Sequence, residues 1–452
     1  MIVLFCKFLY NDIKWENGDN MSDLFTYVKM FENIDFNHMG LTEADNAVFS
    51  RLAYLDFNGC EGKELKEIAK NFTADEEDSK NIAKTKELIK AAGNTKRFES
   101  VTISHTKEVI SEDKGAAFYG VSFKMINDTT YIAFRGTDEK LMGFYEDAEL
   151  AYSFPIPSQV AAVSFATDII TAENKAEKFY LGGHSKGGNS ALFAFAFVES
   201  QYRERIIKTY NNDGPGFPKE LVKILIHHDM YDKILNLLPE DSIVGRMLET
   251  AGKCKIIKSS TNGGAQHNIF TWSIAGTEFE STKKFSLLSE YLEDSFSTSL
   301  DSANIEEIKK AVQTIYNIAV NSGIKTTKDF NAKNIKSMIL LLLQITDKEN
   351  DVSDELTSVI KTLVQSLFSS INIEKFIKYN IPDEILEYAA LDKEERKNLL
   401  AKKIKTGEIE NSETIQMINE IFTKMKAEKE RREKIKTEKQ KETSETKKEE
   451  KA

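Results

Sequence analysis

Cysteine, proline and tryptophan are scarce in this chain: its 452 residues include three, six and two of them. Cys6, Cys60 and Cys254 lie far apart and form no C-x-x-C pair. That spacing argues against a disulfide framework or a zinc knuckle, so no metal site is expected and a reducing cytoplasm is the expected setting. Positive charge is also short. Lys and Arg number 61 against 72 Asp and Glu, for a formal net charge of -11. A general nucleic-acid binder would carry a basic surface, so that class is set aside. Long apolar runs are missing too. Met338–Leu343, followed by Gln344 and Ile345, is too short to cross a bilayer and reads as buried helix. The opening MIVLFCKFLY is interrupted by Lys7 and followed by Asp12, and it lacks the basic start and cleavage site of a secretory signal. Met21 is an alternative start of translation to Met1. With 41% apolar residues, the chain can still build a sizeable core.

Residues 1–95 read as a helical segment, with apolar residues at helical spacing in FTYVKMF, ADNAVFSRLAYLDF and the stretch ending at Gly93. The texture changes near residue 100. SVTISHTKEVI, AAFYGVSFKMI and TTYIAFRG are rich in β-branched and aromatic residues, and Asn127-Asp128 marks a turn between the last two. A helix over 157–174, a strand at 178–185, a helix over 186–202 and a strand at 205–213 follow. A helix over 218–236 comes next, although Ile234–Pro239 also reads as a strand end, and a further strand covers 253–261. Alternating strands and helices imply parallel pairing with crossover helices. The expected fold is therefore α/β: a mostly parallel sheet flanked by helices over residues 96–283. A helical C-terminal region is expected over 284–425. Residues 426–452 are so rich in charge that they read as a frayed helix or a disordered tail.

The most informative segment is Tyr180-Leu181-Gly182-Gly183-His184-Ser185-Lys186-Gly187-Gly188. It holds G-x-S-x-G between an apolar strand and an Ala/Phe/Leu-rich helix. A nucleophilic serine on a tight strand-to-helix turn needs small residues two places either side, because strand and helix backbones pass closely there. The helix N-terminus then faces the site and favours developing negative charge. The bland alternative is a glycine-rich turn with no chemistry. His184 reads as a packed structural histidine.

A serine nucleophile needs a base, and in the α/β-hydrolase order the acid and then the histidine follow the serine. Three of the six histidines do so: His227, His228 and His267. The first two fall within helical periodicity, whereas His267 lies in a loop after a late strand and is preferred. The acid candidates between Ser185 and His267 are Asp213, Asp229, Asp232 and Asp241. Asp241, beyond the run Ile234–Pro239, is preferred, with Asp213 at the end of the strand after the elbow helix as runner-up. Either could instead be a turn or cap aspartate. For the oxyanion hole, the backbone N–H of Lys186 and that of Thr137, in Phe-Arg-Gly-Thr-Asp at 134–138, are the candidate donors. Arg135 reads as a structural ion-pair partner.

These motifs, in this order, resemble the fungal-type (class three) lipases. More closely, EADNAVFSRLAYLDF, GHSKGG, NNDGPGF, PEDSIVG and QHNIFTW resemble a family of lipase-like α/β-hydrolases from Gram-positive bacteria. The resemblance covers residues 21–280. It implies a Ser185–Asp241–His267 triad with Thr137 and Lys186 at the oxyanion hole. It does not carry acyl specificity over, because Lys186 stands where secreted lipases often have an apolar residue.

The expected chemistry is hydrolysis of a carboxylic ester, of a small molecule or a lipid, through an acyl-enzyme and without a cofactor. A thioesterase or peptidase would use the same triad. A catalytically dead scaffold whose C-terminal helices recruit a protein partner is the rival from another class. The segment 138–160 is either a lid over an acyl pocket or an ordinary connection with a short helix. Peripheral contact with a membrane would require the former.

Overall fold

A computed structural model of the chain describes residues 22–290 apart from 112–115, 139, 151, 226–227 and 288, together with Glu293 and scattered positions between 306 and 326. The alternative start at Met21, His227, the charged tail and most of the expected C-terminal helices lie outside the described residues.

The chain opens with helices α1 (Leu24–Met30), α2 (Glu43–Leu52), the short α3 (Leu65–Ile68) and α4 (Lys80–Gly93). Their starts follow local chemistry. Asp23 caps α1 through the Thr26 N–H, Ser79 caps α4 through the Ile82 N–H, and Thr42 with Asp45 forms a reciprocal capping box on α2. Strands β1 (Thr102–Ser111), β2 (Ala116–Met125) and β3 (Thr129–Phe134) follow as an antiparallel meander. The turn at Asn127-Asp128 puts Asp128 at a φ of 54°, a conformation that Asp tolerates better than most residues.

From β3 onward the pairing is parallel, through β4 (Lys178–His184), β5 (Ile206–Asn212), β6 (Ile234–Pro239) and β7 (Lys253–Ile257). The seven strands lie in the sheet in chain order. Helices α5 (Leu141–Glu149) and α6 (Pro157–Ala172) connect β3 to β4, while α7 (Lys186–Phe197) and α8 (Ser200–Arg203) connect β4 to β5. Pro157 begins α6 at a position where its missing N–H costs no helical bond.

The helix expected over 218–236 is shorter. It is α9 (Lys219–Leu225), followed by a 3-10 turn, His228–Lys233. Residues 234–239 are instead strand β6, buried along its whole length between β5 and β7. An apolar run between two partner strands gains more from pairing than from continuing a helix.

Two apolar clusters cover the two faces of the sheet. One joins α6 and α7 to Ile132, Phe134, Phe179 and Leu181. The other joins the N-terminal helices to Tyr131, Tyr210 and Leu237. Beneath the second, Arg97 is fully buried and donates to both carboxylate oxygens of Asp45 and to the carbonyls of Ile34, Met39 and Gly40. A buried guanidinium is tolerated when all its donors are used in this way. No described helix is long and apolar enough to cross a membrane.

Candidate active site

Ser185 sits between the last residue of β4 and the first of α7, with φ 58° and ψ -132°. A non-glycine residue holds such a backbone only when its surroundings enforce it. Here the neighbours do so. The Ser185 N–H donates to the Asn212 carbonyl at 3.0 Å, and its own carbonyl accepts from the Gly188 N–H at 2.8 Å. A Cβ on Gly183 would stand 2.4 Å from the Gly187 carbonyl, and one on Gly187 would stand 2.1 Å from the Phe134 oxygen. The close passage that the glycine spacing implies is therefore present at both positions.

The loop after β3 lies against this turn. A Cβ on Gly136 would fall 2.4 Å from the His184 oxygen and 3.2 Å from the Ser185 Cβ. Thr137, the next residue, donates its hydroxyl to Asp147 on α5. Arg135 pairs with Glu108 at 3.5 Å and lies over the Tyr119 ring.

His267 ends a 3-10 turn, Gly263–His267, beyond β7. Its Nδ1 is 2.7 Å from Asp213 Oδ2. A carboxylate only accepts, so Nδ1 carries the proton and Nε2 keeps its lone pair, the tautomer that a general base needs. Asp213 is fully buried. Its Oδ1 accepts from the Ser242 hydroxyl at 2.5 Å and the Gly245 N–H at 3.2 Å, and its N–H donates to the Leu237 carbonyl.

The carboxylate against His267 is thus that of Asp213, not Asp241. Asp241 Oδ2 instead accepts from the Gly263 N–H at 2.6 Å and from Gln266 Nε2 at 2.9 Å. The topology gives the reason. His184 pairs with Asn212 across β4 and β5, so the residue after Asn212 stands beside Ser185. Asp241 lies beyond the end of β6, one strand further out. It orders the turn that carries His267 rather than touching the imidazole. Among the other candidates, Asp229 and Asp232 lie on the 3-10 turn with His228, and Asp232 pairs with Lys253 at 2.8 Å.

His184 is buried and held at both ring nitrogens. Nε2 is 2.7 Å from the His267 carbonyl, and Nδ1 is 2.8 Å from the Tyr54 hydroxyl. A carbonyl cannot donate, so Nε2 is the protonated nitrogen and Tyr54 donates to Nδ1. Burial and the neighbouring His267 and Arg51 hold the His184 pKa well below its ordinary value. Burial pushes the Tyr54 phenol up to about 12, so it remains a donor at neutral pH.

Two acidic residues on α5 carry no motif in the sequence that marks them. Glu146 is fully buried and accepts from Lys186 Nζ at 2.7 Å, so the residue after Ser185 has an ion-paired side chain. Asp147, the acceptor for Thr137, has its Oδ1 buried with no hydrogen-bond partner among the described residues. Burial pushes its carboxyl up to about 6, against the pull of the Lys186 ammonium and the Thr137 hydroxyl. Among the described residues, no group of three or more His, Cys, Asp or Glu side chains could hold a metal ion.

No curated protein matches the chain. Solved structures similar to it include the crystal structure of M37 lipase, at 14% identity and a TM-score of 0.30, over 46% of this chain and 70% of that one. Lipase II from Rhizopus niveus is also similar, at 14% identity and a TM-score of 0.31, over 54% of this chain and 89% of that one. The Mbeg1-like family model matches residues 92–317, half of the 452 residues. The chain belongs to the Mbeg1-like family.

Proposed function

We propose that the protein is a serine hydrolase of the α/β-hydrolase class that cleaves a carboxylic ester through Ser185, His267 and Asp213. The observation that carries this reading is the 2.7 Å hydrogen bond from His267 Nδ1 to buried Asp213, on the strand next to the strained Ser185 turn. In this reading His267 Nε2 takes the Ser185 hydroxyl proton as the oxygen attacks the ester carbonyl. Asp213 keeps the imidazole in the required tautomer and stabilises the imidazolium. The backbone N–H groups of Lys186 and Thr137 receive the oxyanion, aided by the N-terminal end of α7. Collapse of the intermediate returns the proton to the departing alcohol. Water, activated by His267, then releases the acid and restores Ser185. No step calls on a cofactor.

The test is intact-mass analysis after treatment with a fluorophosphonate. A single adduct is expected on wild type, none on Ser185→Ala, and slow labelling of His267→Ala and Asp213→Asn. Wild-type protein that takes no adduct, with or without mild detergent, would sink the enzyme reading and leave a binding scaffold.

A further inference from the structure

Lys186 has a side chain unlike that of a surface lysine. It is buried, and its ammonium donates to Glu146 Oε2 at 2.7 Å and to the Ala117 carbonyl at 3.1 Å. Glu146 is equally well enclosed. Its carboxylate also accepts from the Ser158 N–H at 2.9 Å, the Ser158 hydroxyl at 2.6 Å and the Ala117 N–H at 3.3 Å. The pair therefore ties together four elements: α5 by Glu146, the first turn of α6 by Ser158, β2 by Ala117, and the elbow helix α7 by Lys186.

The neighbouring residue on α5, Asp147, accepts from Thr137. A Cβ on Gly143 of the same helix would lie 2.7 Å from Thr137 Cγ2. So one short helix holds Thr137 with one residue and the side chain of Lys186 with the next. On its other side, Tyr145 packs against Tyr316 with ring centroids 4.6 Å apart, and Lys140 bridges to Thr326.

We propose that the buried Lys186–Glu146 ion pair is a positioning device: it locks α5 to the elbow, keeps the backbone donors of Thr137 and Lys186 in register, and makes α5 a fixed wall beside the site rather than a swinging lid. A fixed wall suits an ester that arrives as single dissolved molecules, not one met at a lipid–water surface. This rests on the hydrolase reading above. Helix α5 cannot swing out without taking Glu146 from all its donors and leaving the buried Lys186 ammonium with no counter-charge, only the Ala117 carbonyl. Register matters because a displacement of about 1 Å at a donor can cost about 10²-fold in rate.

The experiment compares wild type with Lys186→Met/Glu146→Gln. The double variant removes both charges together, and Gln retains an acceptor for Ser158. Rates are taken per folded molecule, by near-ultraviolet circular dichroism, on a chromogenic short-chain ester. The expected result is a fall in kcat of about 10²-fold with KM changed little. Faster hydrogen exchange of the 141–149 amides should accompany it. Wild type should show no step in rate as the ester passes its solubility limit. A double variant with wild-type kcat, or a wild-type rate that jumps at the solubility limit, overturns the proposal while leaving the hydrolase reading intact. Wild type that takes no fluorophosphonate removes that reading, and the positioning role with it.

Discussion

Asp213 and Asp241 both act on the turn that carries His267, one at the imidazole and one at the backbone, and their substitutions should separate cleanly. Asp213→Asn keeps the shape but favours the wrong imidazole tautomer, so ester turnover should fall by about 10³–10⁴-fold. Asp241→Asn weakens the Gly263 and Gln266 contacts and should cost about 1 kcal/mol of stability with only a modest loss of rate. Steady-state kinetics and urea unfolding distinguish the two. Asp147 offers a test in pH. Its folded pKa, about 6, is raised above the unfolded 3.8. The folded state therefore binds the extra proton between these values, and Asp147 costs stability as pH rises through that window. Asp147→Asn should be more stable than wild type by about 1–2 kcal/mol at pH 8, since the site is only partly exposed, and the advantage should vanish near pH 4. Equal stability of the two proteins at pH 8 would refute this. The placement of Ser185 on a strand-to-helix turn and of His267 in a late loop was legible because G-x-S-x-G in its strand–helix setting and the loop after a late strand are local signals. The choice between the two aspartates was not, because it depends on which strand lies next to β4, and only the sheet order supplies that.

At the scale of elements, the elbow and α5 are the least forgiving parts. Gly187→Ala would press a methyl group onto the Phe134 carbonyl at 2.1 Å, so the strand and helix would have to part. The variant should lose several kcal/mol, on the order of other core overpacking changes or beyond, and be recovered mostly unfolded. Glu146→Ala strands the buried Lys186 ammonium and should cost about 3–5 kcal/mol, measurable by chemical denaturation. The strands β1 to β3, α6 and α7 were readable from β-branched runs and helical spacing alone. Residues 218–239 were not. KELVKILIHHDMYDKIL keeps a helical rhythm past the point where the helix ends. Ile234–Pro239 also reads as a strand end, but what decides between the two readings is the place waiting for it between β5 and β7, a tertiary preference. Glu146 and Asp147 were likewise invisible, since acidic residues on a short amphipathic segment ordinarily face water.

Over the whole molecule, the N-terminal helices are a layer of the fold rather than an appendage. Phe49 stacks on Phe123 and Tyr131, while Phe36, Phe57 and Leu88 are buried in the same cluster on that face of the sheet. Polar contacts cross the layer too. Asn46 and Asn212 exchange hydrogen bonds at 2.8 and 3.1 Å, and the Tyr131 hydroxyl donates to Asn46 at 2.7 Å. A chain begun at residue 96 would expose this apolar face and take from Asn212 Oδ1 its donor, Asn46, next to β4. It should be insoluble on expression, whereas a chain begun at residue 21 should fold, as solubility and circular dichroism can report.

The hydrogen-bonded line from Tyr54 through His184 to the His267 carbonyl ties that layer to the turn that carries His267. Without the phenolic donor, the His184 ring is free to take its other tautomer, and in that form it can no longer donate to the His267 carbonyl. In the proposed mechanism, the group that takes the Ser185 proton is thus held partly by a helix end more than a hundred residues upstream. Anything that repacks Tyr54, whether drift in sequence or a molecule lodged against α2, would be felt at His267 without touching it.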